Sequence, residues 1–475
     1  MDFQREIEQL KNENRALQAA LKKAEQRIQE LMAQLSQNSS NSNWPSSRDK
    51  SRKKRTKSLR TKSGKKAGGQ KGHPGHTLEF SANPDRIEKH RPTDCPHCHT
   101  HFSAGQQPIK IDKRQVFDIP PMRLMVYEHH AETLVCEHCG HATRGDFPKE
   151  VSQPTQYGSR VQQLAVYLKI EQFIPYERSR QFLKDLFDAD ISSGTLQNMI
   201  ARAAQRLTPI VETIKDDLIA AEVLHVDESG FYIGGKRHWL HSAGTERLTF
   251  YFPHRRRGRK ATEAMGILPH FQGTAVHDGW SVYRQYTRCR HALCNAHHLR
   301  ELTAVAENDR QAWGQRFKWF LLSAKQRVER AQLEGAGELS AHKIEQIERV
   351  YTQLITSALE ANRPPPEGWP KGKRGRVKKS KARNLAERLD KYRREVLAFV
   401  YDFKVPFDNN LAERDIRMLK VQQKISGTFR SQAGAEAFCT IRSYIATIRK
   451  QELSVWDALG SVFSDNIILP KNTPV

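Results

Sequence analysis

Apolar residues recur in steps of four and three at the start of the chain. Phe3, Ile7, Leu10, Leu17, Leu21, Ala24, Ile28, Leu31 and Leu35 keep the pattern, with Asn14 in one of its positions. Sustained over more than four heptads, the repeat predicts a coiled-coil helix over 1–36. Asn14 falls at an a-type position, where a buried Asn fixes register and favours two strands. SQNSSNSNWPSS follows without periodicity and opens a linker over 37–80. A helical period returns between Tyr157 and Ile219. RVQQLAVYLKIEQF reads as one helix, and Pro175 stands at the first turn of the next, IPYERSRQFLKDLF. Ser192 or Ser193 caps a third, SGTLQNMIARAAQRLTPIVETI. Three helices with a basic third one suit a helix-turn-helix-like DNA-binding domain over 155–220, although the same pattern also makes an ordinary bundle.

The period changes again at Glu222. AEVLHVDES reads as a short strand ending in acids, and FYIGGKRHWLHSAG as a hairpin turned at Gly234-Gly235. TERLTFYFPH is a third strand, RKATEAMGILPHF a helix, and GTAVHDGW a fourth strand ending in Asp278. A short helix, the strand RHALC and the helix NAHHLRELTAVAEN complete the series. The order β-β-β-α-β-α-β-α is that of a ribonuclease-H-like α/β core, here 221–304. A helical insertion follows over 305–400, with a Pro-rich and then basic break at RPPPEGWPKGKRGRVKKSKAR. The core resumes over 401–465, with Asp408-Asn409-Asn410 as a cap region and Glu413 one turn into a helix.

Charge changes the picture next. The 475 residues hold 78 Lys+Arg against 53 Asp+Glu, a net charge of +25, which makes a polyanion the expected partner. Eleven of these cations lie between Arg48 and Lys66 with Asp49 as the one acid, a block suited to phosphate contacts. No run approaches the roughly 18 apolar residues of a membrane span. The polar start MDFQREIEQLKNEN carries no secretory pattern.

Four of the seven cysteines form two Cys-x2-Cys pairs, Cys95/Cys98 and Cys136/Cys139. Such pairs offer four thiolates to a tetrahedral, structural Zn²⁺. The intervening IKIDKRQVFDIPPMRLMVYEHHAETLVC alternates like strands, so a zinc-binding ribbon is expected over 81–150. His97, His99 and His138 are alternative ligands.

Asp227 and Asp278 close the first and fourth strands of the expected sheet, which are neighbours in that topology. Two carboxylates at one sheet edge suit Mg²⁺ or Mn²⁺, which take oxygen ligands and complete their shell with water and phosphate. A third acid allows two ions to clamp the attacking and leaving oxygens of an in-line displacement. Glu413 is the candidate, with Arg414, Arg417, Lys420 and Lys424 on the same helix as DNA-binding groups. Glu228 and Glu301 compete with it. Glu301 follows Asp278 too closely for the insertion to intervene, and Glu228 points to the opposite face from Asp227 if the strand persists.

HVDESGFY, VHDGW, CNAHHLRE and PFDNNLAERDIR resemble the motifs of the insertion-sequence-66 family of bacterial transposases. The resemblance extends to the N-terminal repeat, the basic linker with GGQKGHPGH, the paired cysteines and IPYERSR. One departure is the linker NSNWPSSRDK, where a more Pro-rich run is usual. The resemblance implies a DDE catalytic set at Asp227, Asp278 and Glu413 that holds two divalent ions. It implies an enzyme that cuts the 3′ strands at its element's ends and joins them to target DNA. Its partners would be both DNAs, a second or further copy of the chain, and accessory transposition proteins, at the nucleoid of a bacterial cytoplasm. Cys294 and His297 match a Cys-x2-His feature of several such transposases, read as core packing with a metal role as the alternative. Competing readings of the chain are a catalytically silent DNA-binding regulator and a metallonuclease that cuts without joining.

Overall fold

The computed structural model describes residues 2–37, 41, 72, 78–363, 379–464 and 466–471. The basic block 48–66, nearly all of the linker 37–80 and the basic break as far as residue 378 lie outside them. The chain divides into two compact units, residues 58–127 with 186–188 and the remainder.

Helix α1 (Asp2–Leu35) is continuous, as the heptads predict, and its seam residues Ile7, Leu10, Leu17, Leu21, Ile28, Leu31 and Leu35 are all exposed. The smaller unit contains Cys95 and Cys98 in a tight turn. The other pair stands in a hairpin of the larger unit, between β1 (Thr133–Val135) and β2 (Ala142–Arg144). Ribbon strands are not found over 108–132 among the described residues. The alternation there includes Pro120-Pro121, which cannot donate to a ladder, and Ile109, Ile111, Val116 and Ile119 stay exposed.

The helical stretch follows its predicted boundaries closely. Helix α2 (Ser159–Val166) runs into a π-helical turn, Tyr167–Glu171, before α3 (Tyr176–Phe187) and α4 (Ser193–Ala220). Ser192 is the N-cap of α4, with Thr195 N donating to its Oγ at 3.0 Å. These helices do not form a core of their own. Ile200, Leu207, Val211 and Ile214 pack in one cluster with the sheet residues Leu224, Phe231, Leu240 and Phe250.

That sheet has five strands, β3 (Val223–Ile233), β4 (Lys236–Gly244), β5 (Thr249–His254), β6 (Thr274–His277) and β7 (Arg290–Leu293), with α5 (Arg259–Met265) between β5 and β6. Their order is β5-β4-β3-β6-β7, antiparallel on the β5 side of β3 and parallel on the other. Gly234 and Gly235, both at positive φ, make the β3–β4 turn that the sequence marks. Strand β6 is buried along its whole length, as a central parallel strand should be.

Beyond β7 come α6 (Asn295–Glu307), then the insertion helices α7 (Ala312–Leu333), α8 (Ala341–Ala361), α9 (Lys381–Lys391), α10 (Arg393–Val396) and α11 (Ala398–Tyr401). The single helix expected over 383–402 is thus interrupted at Tyr392 and Leu397. The insertion has its own core around Trp313, Phe317, Leu321, Tyr351 and Leu385. The chain then returns to the sheet with α12 (Asn410–Ser426), α13 (Gln432–Lys450) and α14 (Val455–Ser461). Helix α13 lies on β5 and blunts that edge strand: Thr447 Oγ1 accepts from Thr249 N at 3.0 Å and Ser443 Oγ from Tyr251 N at 2.9 Å. No helix among the described residues is long and apolar enough to cross a membrane.

Candidate functional site: carboxylates at the β3–β6 edge

Asp227 does not end its strand. Strand β3 continues six residues further in antiparallel pairing with β4, where Asp227 faces Ser242. The parallel ladder with β6, however, stops at His225↔Val276. Two residues further along each chain stand Asp227 and Asp278, at the point where the two backbones cease to pair. Gly279, at φ 92°, turns the chain away immediately after Asp278, and Asp278 Oδ1 accepts from Trp280 N at 2.9 Å. The carboxylate is thereby held at the end of the sheet.

Glu413 reaches the same edge from the first turn of α12. The residue that brings it there is Asn409, the helix N-cap, which is buried. Its Nδ2 donates to Val226 O at 2.9 Å, its Oδ1 accepts from His225 Nδ1 at 2.8 Å, and its backbone N–H donates to Cys294 Sγ at 3.1 Å. The start of α12 is therefore bonded to β3 one residue before Asp227. The helix is held again one turn on: Asp415 pairs with Lys450 of α13 at 2.6 Å, and Asp415 O accepts from Tyr251 Oη at 2.7 Å.

The electrostatics reflect this crowding of acids. Burial above all, then the charges of Glu228, Asp278 and Glu413, push the Asp227 carboxyl up to about 8. Its neighbour Glu228 is also raised, chiefly by burial, but it has partners: Arg257 Nε donates to it at 2.8 Å and Tyr283 Oη donates to the other oxygen. Arg257 in turn lies over the rings of Trp239 and Trp280. Glu301 is paired with Arg388 of α9. Both rivals for the third position are thus occupied by arginines, whereas Glu413 has only looser contacts, with Arg300 at 3.7 Å and His297 at 3.9 Å. Burial, and then the Arg300 charge, hold the His297 imidazole below its ordinary value, while burial pushes the Cys294 thiol up to about 12.

On α12, Glu413, Arg417, Lys420 and Lys424 follow at helical spacing along one stripe, with Arg414 beside it. All four cations are exposed, and Lys420 Nζ donates to Gly230 O at 3.0 Å. The two cysteine pairs, each by itself, adopt the same turn. Cys95 N donates to Thr100 O and His99 N to Cys95 O; Cys136 N donates to His141 O and Gly140 N to Cys136 O. His99 and Gly140 both have positive φ. These turns direct backbone N–H groups inward, and hydrogen bonds within them lower the Cys98 and Cys136 thiols from their ordinary values. The sequence reading missed Asn409 and the Glu228–Arg257–Tyr283 group. Asn409 could have been suspected from its cap position, but its partners are some 184 residues away.

Comparison with known proteins identifies the class: the protein is a DDE-type transposase with a zinc-binding N-terminal domain and a mixed α/β core. Residues 154–437, more than half of the chain, match the family described as Transposase IS66 family, and the chain belongs to that family. Residues 92–140 match the zinc-finger binding domain of transposase IS66, and residues 2–79 a family of unknown function. No curated protein matches the chain with significance.

Proposed function

We propose that this transposase binds the ends of its insertion sequence, hydrolyses the 3′ strands and transfers them to target DNA, with Asp227, Asp278 and Glu413 as its catalytic carboxylates. The observation that carries the reading is the meeting of three elements at one point: the open end of the β3–β6 ladder and the start of α12, bonded to it through Asn409. The sheet order, antiparallel then parallel about β3, supports a ribonuclease-H-like core over 221–304 and 401–465 around the insertion 305–400.

The donor set fits a hard divalent cation. It is all oxygen, and the raised Asp227 carboxyl marks anionic charge that the protein itself leaves uncompensated. Bound there, Mg²⁺ or Mn²⁺ supplies Lewis-acid stabilisation of the attacking and leaving oxygens. The chain's part is to fix the three carboxylates on two strands and a helix, and to aim the α12 cations at the DNA backbone. Cys95, Cys98, Cys136 and Cys139 would hold the structural Zn²⁺ of the N-terminal domain. The exposed seam of α1 suits a coiled coil with a second copy, which would keep two element ends together, and the site of action is the bacterial nucleoid.

Pre-cut ends with a free 3′-OH, offered with Mg²⁺ and a target plasmid, should be joined by the wild-type chain; cutting without joining would reduce the reading to a nuclease. Asn409→Ala should lower end cutting by about 10- to 100-fold, the usual cost of losing a support of a metal ligand. Arg417→Ala or Lys424→Ala should reduce the slope of log binding against log salt by about 1 each, read by fluorescence anisotropy. Asp227 must lose its proton to bind a cation. Apparent Mg²⁺ affinity should therefore rise with pH towards about 8 and level off above it, measured as the Mg²⁺ concentration giving half-maximal cutting.

A further inference from the structure

Cys294, His297 and Glu413 form the one group of three potential metal-ligating side chains found among the described residues, their ligand atoms all within 4.8 Å of one another. Cys294 is the N-cap of α6 and His297 lies in that helix's first turn, so both project from one turn towards the start of α12. Two details point to a ligand there. The His297 Nδ1 atom is buried without a hydrogen-bond partner, 3.9 Å from Glu413 Oε1, an imbalance a native interior seldom leaves unanswered. The Cys294 sulfur, also buried, receives the Asn409 N–H at 3.1 Å, a bond that favours its anionic, ligating form.

The donor types exclude a hard cation. One sulfur, one imidazole nitrogen and one carboxylate oxygen suit Zn²⁺ and its borderline neighbours, whereas Mg²⁺ takes oxygen. Bond lengths of about 2.3 Å to sulfur and about 2.0–2.2 Å to nitrogen and oxygen place tetrahedral ligands roughly 3.3–3.7 Å apart, so the 3.9 Å separation needs little closure. Three protein ligands leave a fourth position for water.

We propose that Cys294, His297 and Glu413 form a second cation site, selective for Zn²⁺-like ions, and that filling it withdraws Glu413 from the Mg²⁺ set. Binding releases the thiol proton to solvent as the metal–sulfur bond forms. The site is a built-in off-switch: Glu413 is shared, and an ion held on the Cys294 side removes it from Asp227 and Asp278. The second half of the proposal rests on the catalytic reading of Glu413; the first does not.

The test has two arms on the full chain. In the first, Zn²⁺ is titrated against a chromophoric chelator without DNA. The wild type should bind one equivalent more than Cys294→Ser or His297→Ala, and Asp227→Ala should match the wild type. His297→Ala guards against a folding defect in the buried Cys294 variant, and circular dichroism verifies both. Equal stoichiometry in the wild type and both variants overturns the site, whether or not the protein cuts DNA. In the second arm Zn²⁺ is added to end cutting at fixed Mg²⁺, each protein measured relative to its own zinc-free rate. Half-inhibition should need at least tenfold more Zn²⁺ in His297→Ala than in the wild type. Equal sensitivity overturns the off-switch.

Discussion

Asp227→Ala, Asp278→Ala and Glu413→Gln should each reduce Mg²⁺-dependent cutting of element-end DNA by about 10²–10³-fold or more, since the loss of a metal ligand removes several kcal/mol of transition-state stabilisation. DNA binding should stay within a few-fold of wild type, because the cations of α12 and the basic linker are untouched. Double substitutions should cost little more than single ones, as expected of residues that act as a unit. Glu228→Gln provides the contrast. Its carboxylate is held by Arg257 and Tyr283, so its loss should appear mainly as a lowered melting temperature. If Glu228→Gln removed cutting while Glu413→Gln spared it, the third carboxylate would have been misassigned.

The largest effect on stability is expected far from this edge, at Glu171. Its carboxylate sits in the π-helical turn between Arg442 and Arg449 of α13, and the side chains of Glu171 and Arg442 are 7% and 6% exposed. Glu171→Ala would leave the Arg442 guanidinium buried and uncompensated, which costs about 3–5 kcal/mol. Urea unfolding followed by tryptophan fluorescence should show the loss, because Trp456 packs edge-on against Tyr167 of the same turn. Replacing Glu177, whose partner Arg180 is a surface pair, should cost only about 0–1 kcal/mol. A loss at Glu171 no larger than that at Glu177 would mean that Arg442 finds another partner or water.

Much of the core is legible in sequence because its signals are local. The heptads of α1, the Gly234-Gly235 turn, the Ser192 cap and the apolar runs of β6 and β7 each depend on a few adjacent residues. Asp227 was found on the right strand but for an incomplete reason. What opens the edge there is the end of the β6 pairing, not the end of β3, and pairing between strands some 50 residues apart is not written in local pattern. The alternation over 108–132 misled because period two alone does not supply a partner strand, and Pro120-Pro121 should have weighed more. Helix α13 was overlooked although Phe438, Ile441, Ile445 and Ile448 mark a buried stripe at helical spacing. Asn409 illustrates the other limit. Its composition signal is that of any helix cap, and only the fold reveals that it bonds the third carboxylate's helix to the first carboxylate's strand.

The central claim is that Asp227, Asp278 and Glu413 share bound cations, and iron-directed backbone cleavage tests it most directly. With Fe²⁺ in place of Mg²⁺, ascorbate and peroxide should cut the polypeptide near residues 227, 278 and 413 together, and excess Mg²⁺ should suppress all three cuts. Cutting confined to the neighbourhood of 294–297, or cuts at one acid that persist while the others are absent, would contradict the account.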